Sequence, residues 1–186
     1  MDSIDYKGYQ IKVVQDVDAE SPRAWGNLGK MVCFHERYNL GDTHKLNHGD
    51  FQSWKEIKEY LIKEAGAEIV LPLRLYDHSG ITISTSTSYP YNDQWDSMMV
   101  GWIYADKAAI LKEYSVKRIT KAVRDRVVKV LQSEVEVYDQ YLTGDVWGYE
   151  IEGDECNDSC WWFYGQSGCI AAAKEVIDAA IDSKRK

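Results

Sequence analysis

Basic charge, proline and long apolar runs are scarce in this sequence, and each shortage excludes something. The 22 Lys and Arg residues are outnumbered by 30 Asp and Glu, for a net charge of −8. That balance disfavours non-specific attraction to nucleic acid or an anionic membrane and suits a basic protein partner. No apolar run approaches the roughly 20 residues of a membrane-spanning helix. The first residues also lack the basic and apolar regions of a signal peptide. The expectation is a soluble cytoplasmic protein with no membrane partner, whose Cys33, Cys156, Cys160 and Cys169 stay thiols in a reducing compartment. With only three prolines, no low-complexity tract and no repeat, the chain should be ordered between short flexible ends at 1–5 and 183–186.

Recognisable catalytic signatures are missing too. There is no phosphate loop, no Gly-x-Gly-x-x-Gly turn and no Gly-x-Ser-x-Gly elbow, which argues against the large ATPase, dehydrogenase and hydrolase classes. No cofactor is called for. Cys156 and Cys160 are separated by three residues with no histidine nearby, a poor match to a zinc knuckle.

What is present is a clear alternation of periods. Residues 9–14, 69–76 and 81–86 alternate apolar and polar as half-buried strands do, the last two forming a hairpin around Asp77-His-Ser-Gly80. Residues 31–35 and 98–104 are apolar on both sides and predict central strands. Three- and four-residue spacing predicts helices over 51–65 (capped by Asp50 and stopped by Gly66), 107–114, 116–143 and 169–182. Between Gly144 and the last helix, 145–151 and 159–164 form a ribbon crowded with aromatics. Two long loops, 38–50 and 85–97, join these elements. At 186 residues the pattern predicts a single α+β domain with a mainly antiparallel sheet and helices packed against it.

Several side chains are candidates for chemistry. Glu134 falls within the apolar stripe of the long helix, where it is a candidate general base, metal ligand or recognition carboxylate, or else a hydrogen-bond acceptor at the core edge. Asp139 and Asp145 flank the end of that helix. His35, Asp42, His44 and His48 are of metal-ligating types, although spacing across a glycine-broken loop is not diagnostic. Lys117, Arg118, Lys121, Arg124, Arg126 and Lys129 form either a solvated face or a phosphate grip. His78 is best placed in a turn. Tyr89, Tyr91 and Trp95 in the second loop, Trp147, Trp161 and Trp162 in the ribbon, and Asp154 and Glu155 in its acidic turn together suggest an acidic-aromatic binding surface.

Five strings carry a resemblance: MVCFHERYNLGD at 31–42, LPLRLYDHSGIT at 71–82, VGWIYADK at 100–107, VEVYDQYLTGDVWGYEI at 135–151 and DSCWWFYG at 158–165. In this order they resemble a family of small bacteriophage- and prophage-encoded proteins, over roughly 22–165. Trp147 and Trp162 depart from its pattern, which has Tyr and Gly there, and 85–99 fits it poorly. The resemblance supplies no catalytic residues. It implies a phage accessory protein in a host cytoplasm that binds and inhibits a host protein, of the anti-CRISPR or anti-restriction kind. Two alternatives stay open. One is a small metal-dependent or acid–base enzyme acting on nucleotide or nucleic acid, drawing on His35, Asp42, His44, Glu134, Asp139 and Asp145. The other is a sponge for a signalling nucleotide.

Overall fold

Among the described residues, period-two and period-four apolar spacing produces two antiparallel sheets and four α-helices, an α+β fold. The computed structural model describes residues 2–77, 80–86, 97–153 and 156–184. The chain divides into two compact units. The first joins both ends of the chain, Met1–Ser21 and Gln140–Lys186, and the second is Pro22–Asp139. The strands divide between two four-stranded sheets, where one sheet was expected.

In the first unit the sheet order is β1 (Asp2–Tyr6), β2 (Tyr9–Gln15), β7 (Val146–Glu152), β8 (Asp158–Tyr164). Residues 2–5, expected to be a flexible end, are part of strand β1. Lys7 (φ 52°) and Gly8 (φ 86°) make the tight turn that pairs it with β2, because two left-handed residues match the twist of a hairpin. Cross-strand pairs Ile11–Ile151 and Val13–Tyr149 share a face. They pack against Cys169, Ala173 and Ile177, spaced four apart on α4 (Gln166–Lys184).

The second unit has the order β3 (Lys30–Cys33), β6 (Ser97–Asp106), β4 (Ala67–Asp77), β5 (Ile81–Ser84). Val32, Trp102 and Tyr104 pack against Ile57 and Leu61 of α1 (Trp54–Lys63). α2 is Lys107–Glu113, capped by Asp106, whose side chain accepts the Ala109 amide. α3 (Lys121–Thr143) buries Val123, Val127, Leu131, Val135 and Tyr138, and ends at Gly144 with φ 71°; its last residues, 140–143, count with the first unit. α1 begins later than expected. Ser53, not Asp50, accepts the Glu56 amide as N-cap, and the Ser-x-x-Glu spacing is the signal for it. α3 also starts later, with the Val123 amide donating to Thr120 Oγ1. Pro72 pairs with Trp102 of β6 on one side and lies beyond the Arg74–Asp77 stretch that β5 pairs on the other, so on its β5 side a missing amide hydrogen leaves no gap. Among the described residues no helix is long and apolar enough to cross a membrane.

β6 is central, as expected, but β3 is an edge strand. Both its faces are nevertheless covered, with Met31, Val32 and Cys33 all buried. Gly101 allows β3 and β6 to lie this close: a Cβ there would collide with the Val32 carbonyl oxygen. Gly101→Ala is therefore expected to lower stability by about 3 kcal/mol through overpacking, read as a lower urea midpoint with an unchanged m-value.

Candidate functional site

The open side of β3 is closed by the following loop. Gly41 bridges Val32, and the Asp42 amide donates to the Met31 carbonyl at 2.9 Å. The Met31 amide donates in turn to Asp42 Oδ2 at 2.8 Å. Gly41 has φ 72° and lies close to Met31 and Cys33, a conformation and proximity that only glycine meets without strain. Asp42 is held from the other side by Arg23, whose Nε and Nη2 donate to its two oxygens at 2.8 and 2.7 Å. This is the fork geometry that favours arginine over lysine.

Arg23, with 6% of its side chain exposed, also donates to the Gly29 carbonyl at 2.7 Å and lies 3.5 Å from Glu134 Oε2. Glu134 accepts from the Leu28 amide at 2.8 Å and from the Gly29 amide at 3.0 Å. Burial pushes the Glu134 carboxyl above its ordinary value, against the pull of those amides and of Arg23. For Arg23, burial opposes the charge, but the contacts with Asp42 and Glu134 outweigh it and hold the guanidinium firmly protonated. Glu134 is thus a core-edge acceptor whose oxygens are engaged by the Leu28 and Gly29 amides and by Arg23. Asp139 is similar. It accepts the Ile83 amide at 2.6 Å, with its carboxyl raised by burial. In the first unit, Asp145 accepts from Trp147 Nε1 at 2.5 Å and from the Gln166 amide at 3.3 Å, at the start of α4. The three carboxylates proposed for catalysis each have their own structural partners.

The histidines do converge. His35, His44 and His48 line an open cleft of about 880 Å3 in the second unit, with Phe34, Tyr38 and Trp54. Phe34 meets the rings of His44, His48 and Trp54 edge-on or tilted, at centroid distances of 5.0, 5.4 and 6.0 Å. His35 accepts the Arg37 and Tyr38 amides at Nδ1 (3.1 and 3.2 Å) and stacks on Tyr38 at 4.9 Å. Asp77 binds both Arg37 and the Tyr38 hydroxyl. His44 Nε2 lies 2.8 Å from the Cys33 carbonyl, so that nitrogen carries the hydrogen. Among the described residues no group of three or more His, Cys, Asp or Glu side chains is placed to hold a metal ion. Asp42, grouped with these histidines as a candidate ligand, is committed to Arg23. Cys33 also lines the cleft, and burial pushes its thiol up to about 12, which makes it a poor nucleophile.

The aromatic ribbon splits between core and surface. Trp147 packs against the core of the first unit, whereas Trp161 and Trp162 are 39% and 60% exposed. They sit side by side on β8, the outermost strand of its sheet. The register slips there: Trp147 pairs with Phe163 but Tyr149 with Cys160, so two tryptophans stand opposite Gly148 alone. Trp161 lies flat over that glycine, where a Cβ would meet its ring. Trp162 has φ 69°, a left-handed conformation costing a bulky residue about 1–2 kcal/mol. Tyr89, Tyr91, Trp95, Asp154, Glu155 and His78 lie outside the described residues. The cations of 117–129 are exposed, and Arg124 pairs with Glu68.

Arg23, the hub of the second unit's polar network, and Trp54, a wall of the cleft, were not singled out from the sequence. Trp54 was legible only as a helix core residue, and Arg23 carries no local signal, because its partners are 19 and 111 positions away. Compared with family models, curated proteins and solved structures, the chain matches none.

Asp42→Asn should cost about 3 kcal/mol, because it leaves a buried guanidinium short of its main partner. Glu134→Gln should cost about 1 kcal/mol, since an amide oxygen still accepts the Leu28 or Gly29 amide. As the Glu134 carboxyl is raised in the fold, the folded state holds its proton more tightly than the unfolded chain. Its contribution to stability therefore falls as pH rises from the ordinary 4.5 through the raised value. Urea titrations at several pH values should show this slope in the wild type and its loss in Glu134→Gln.

Proposed function

We propose that this protein acts by binding another protein through β8, as a phage-type accessory factor of the anti-defence class that blocks a host component. The observation that carries this is the pair of exposed tryptophans at the bulge of β8, which among the described residues is an edge strand. Trp is the residue most enriched in interface hot spots. Edge strands are commonly guarded by lysine, proline, other charges or a bulge; Asp158–Tyr164 has the bulge but no lysine or proline, and the bulge carries two exposed tryptophans in place of charge. Trp162 holds a left-handed backbone that glycine would adopt without strain, and the family this chain resembles has glycine there. A strained tryptophan retained on the surface is explained by what its side chain does.

Affinity capture from a bacterial host lysate tests this, with Trp162→Gly as the decisive variant. That substitution relieves backbone strain, so the variant should be at least as stable as the wild type in a thermal melt. It should also lose a partner that the wild type retains stoichiometrically. Retention of the same partner by both proteins, or of none by the wild type, overturns the proposal.

The cleft favours a second reading, a small-ligand site for a nucleotide, because three of the four histidines and Trp54 surround one cavity of nucleotide size. Thermal-shift measurements with nucleoside phosphates and cyclic dinucleotides check it. A true ligand at 100 times its Kd stabilises by about 2.7 kcal/mol, and Trp54→Ala should abolish the shift. No stabilisation by any of them removes this reading.

A further inference from the structure

Charge is distributed unequally between the two units. Of the 30 acidic and 22 basic residues, the first unit holds 14 and 6 and the second 16 and 16, so the whole net charge of −8 sits on the first. Its sheet presents part of that charge beside the exposed tryptophans. On the face turned away from α4, Lys12, Glu150 and Ser159 form one cross-strand row. Trp161 lies two residues beyond Ser159 on the same face, over Gly148. Lys12 makes its ion pair with Glu152 and interacts with Glu150 only at longer range, so among the described residues no cation contacts the Glu150 carboxylate directly. Elsewhere in the protein several aromatic rings are capped by an internal cation, as Tyr6 is by Lys7 and Lys174, Tyr38 by Arg37 and Trp102 by Lys58. Among the described residues no cation lies over Trp161 or Trp162.

From this we infer that the β8 face takes an arginine-rich segment of its protein partner. One guanidinium would stack on Trp161 and pair with Glu150, and a second would stack on Trp162. The inference rests on the docking proposal above and adds the chemistry of what docks. Arginine is favoured over lysine because its planar, weakly hydrated guanidinium stacks on an indole and still offers a fork to a carboxylate. A nucleic acid or an anionic lipid surface would be repelled by the same unit. An apolar segment would desolvate Glu150 without offering its carboxylate a hydrogen bond.

Isothermal titration with three short synthetic peptides tests it: one arginine-rich, one with lysine at every arginine, and one with glutamine there. The arginine peptide should bind, and binding should weaken with added salt. The lysine peptide should bind less tightly and the glutamine peptide not at all. Trp162→Ala and Glu150→Gln should each weaken the arginine peptide roughly tenfold. Trp162 is the safer of the two tryptophans to change, since Trp161 covers Gly148. Equal binding of the arginine and lysine peptides, unaffected by Trp162→Ala, would show diffuse attraction to an acidic unit and overturn the inference. Binding of the glutamine peptide as tight as the arginine peptide would overturn it while leaving the docking surface standing. So would failure of every peptide when the lysate partner is still captured in a Trp162-dependent way. Failure of both experiments removes the docking proposal as well.

Discussion

A guanidinium that is almost wholly out of water has to be neutralised, and the second unit is arranged around how Arg23 meets that requirement. Its fork closes on Asp42, its third donor takes the Gly29 carbonyl, and Glu134 stands behind it. Through these contacts the segment around residues 22–29, the loop at 41–42 and helix α3 are tied to one point. Asp42 also takes the Met31 amide, so the same ion pair that neutralises Arg23 completes the hydrogen bonding of β3. A strand at the edge of a sheet thus behaves like an interior one, with both faces buried and its outer side occupied by protein.

The other sheet treats its edge differently. β8 has no lysine and no proline, and two exposed tryptophans stand at its bulge. The two edges show how the same physical problem, unpaired backbone groups beside apolar side chains, is closed in one place and left open in another. The open edge lies in the unit that carries the protein's net charge. The cleft of the second unit is a separate feature, built by the turns that follow β3, where Phe34, His44, His48 and Trp54 meet edge to face.

Much of this was visible in the sequence, and the reasons differ from element to element. The β7–β8 ribbon, the α2 cap at Asp106 and the α3 stop at Gly144 follow from local chemistry: alternation, a carboxylate that accepts a helical amide, and a residue free to turn left-handed. The start of α1 was misplaced because Asp50 and Ser53 both cap well, and only the Ser-x-x-Glu spacing separates them. β1 was missed because residues 2–6 carry little apolar weight until β2 pairs with them. β3 was expected in the interior because a strand buried on both faces looks the same whether its second side meets a strand or a loop. Glu134 was legible as an anomaly on an apolar face, whereas the amides of Leu28 and Gly29 that satisfy it lie more than a hundred positions away.

By itself the sequence determined the class of fold, the position of most elements, the acidic balance and the concentration of aromatics near the C-terminal third. These depend on periodicity, turn chemistry and composition, which act over a few residues or over the whole chain. Tertiary structure alone decided which aromatics are packed and which are exposed, since Trp147 and Trp162 are equally apolar and differ only in the face and edge they occupy. It also decided that three histidines share one cleft while Glu134, Asp139 and Asp145 each serve a separate structural contact. Those outcomes depend on strand order and on pairings between distant residues, which no local pattern encodes.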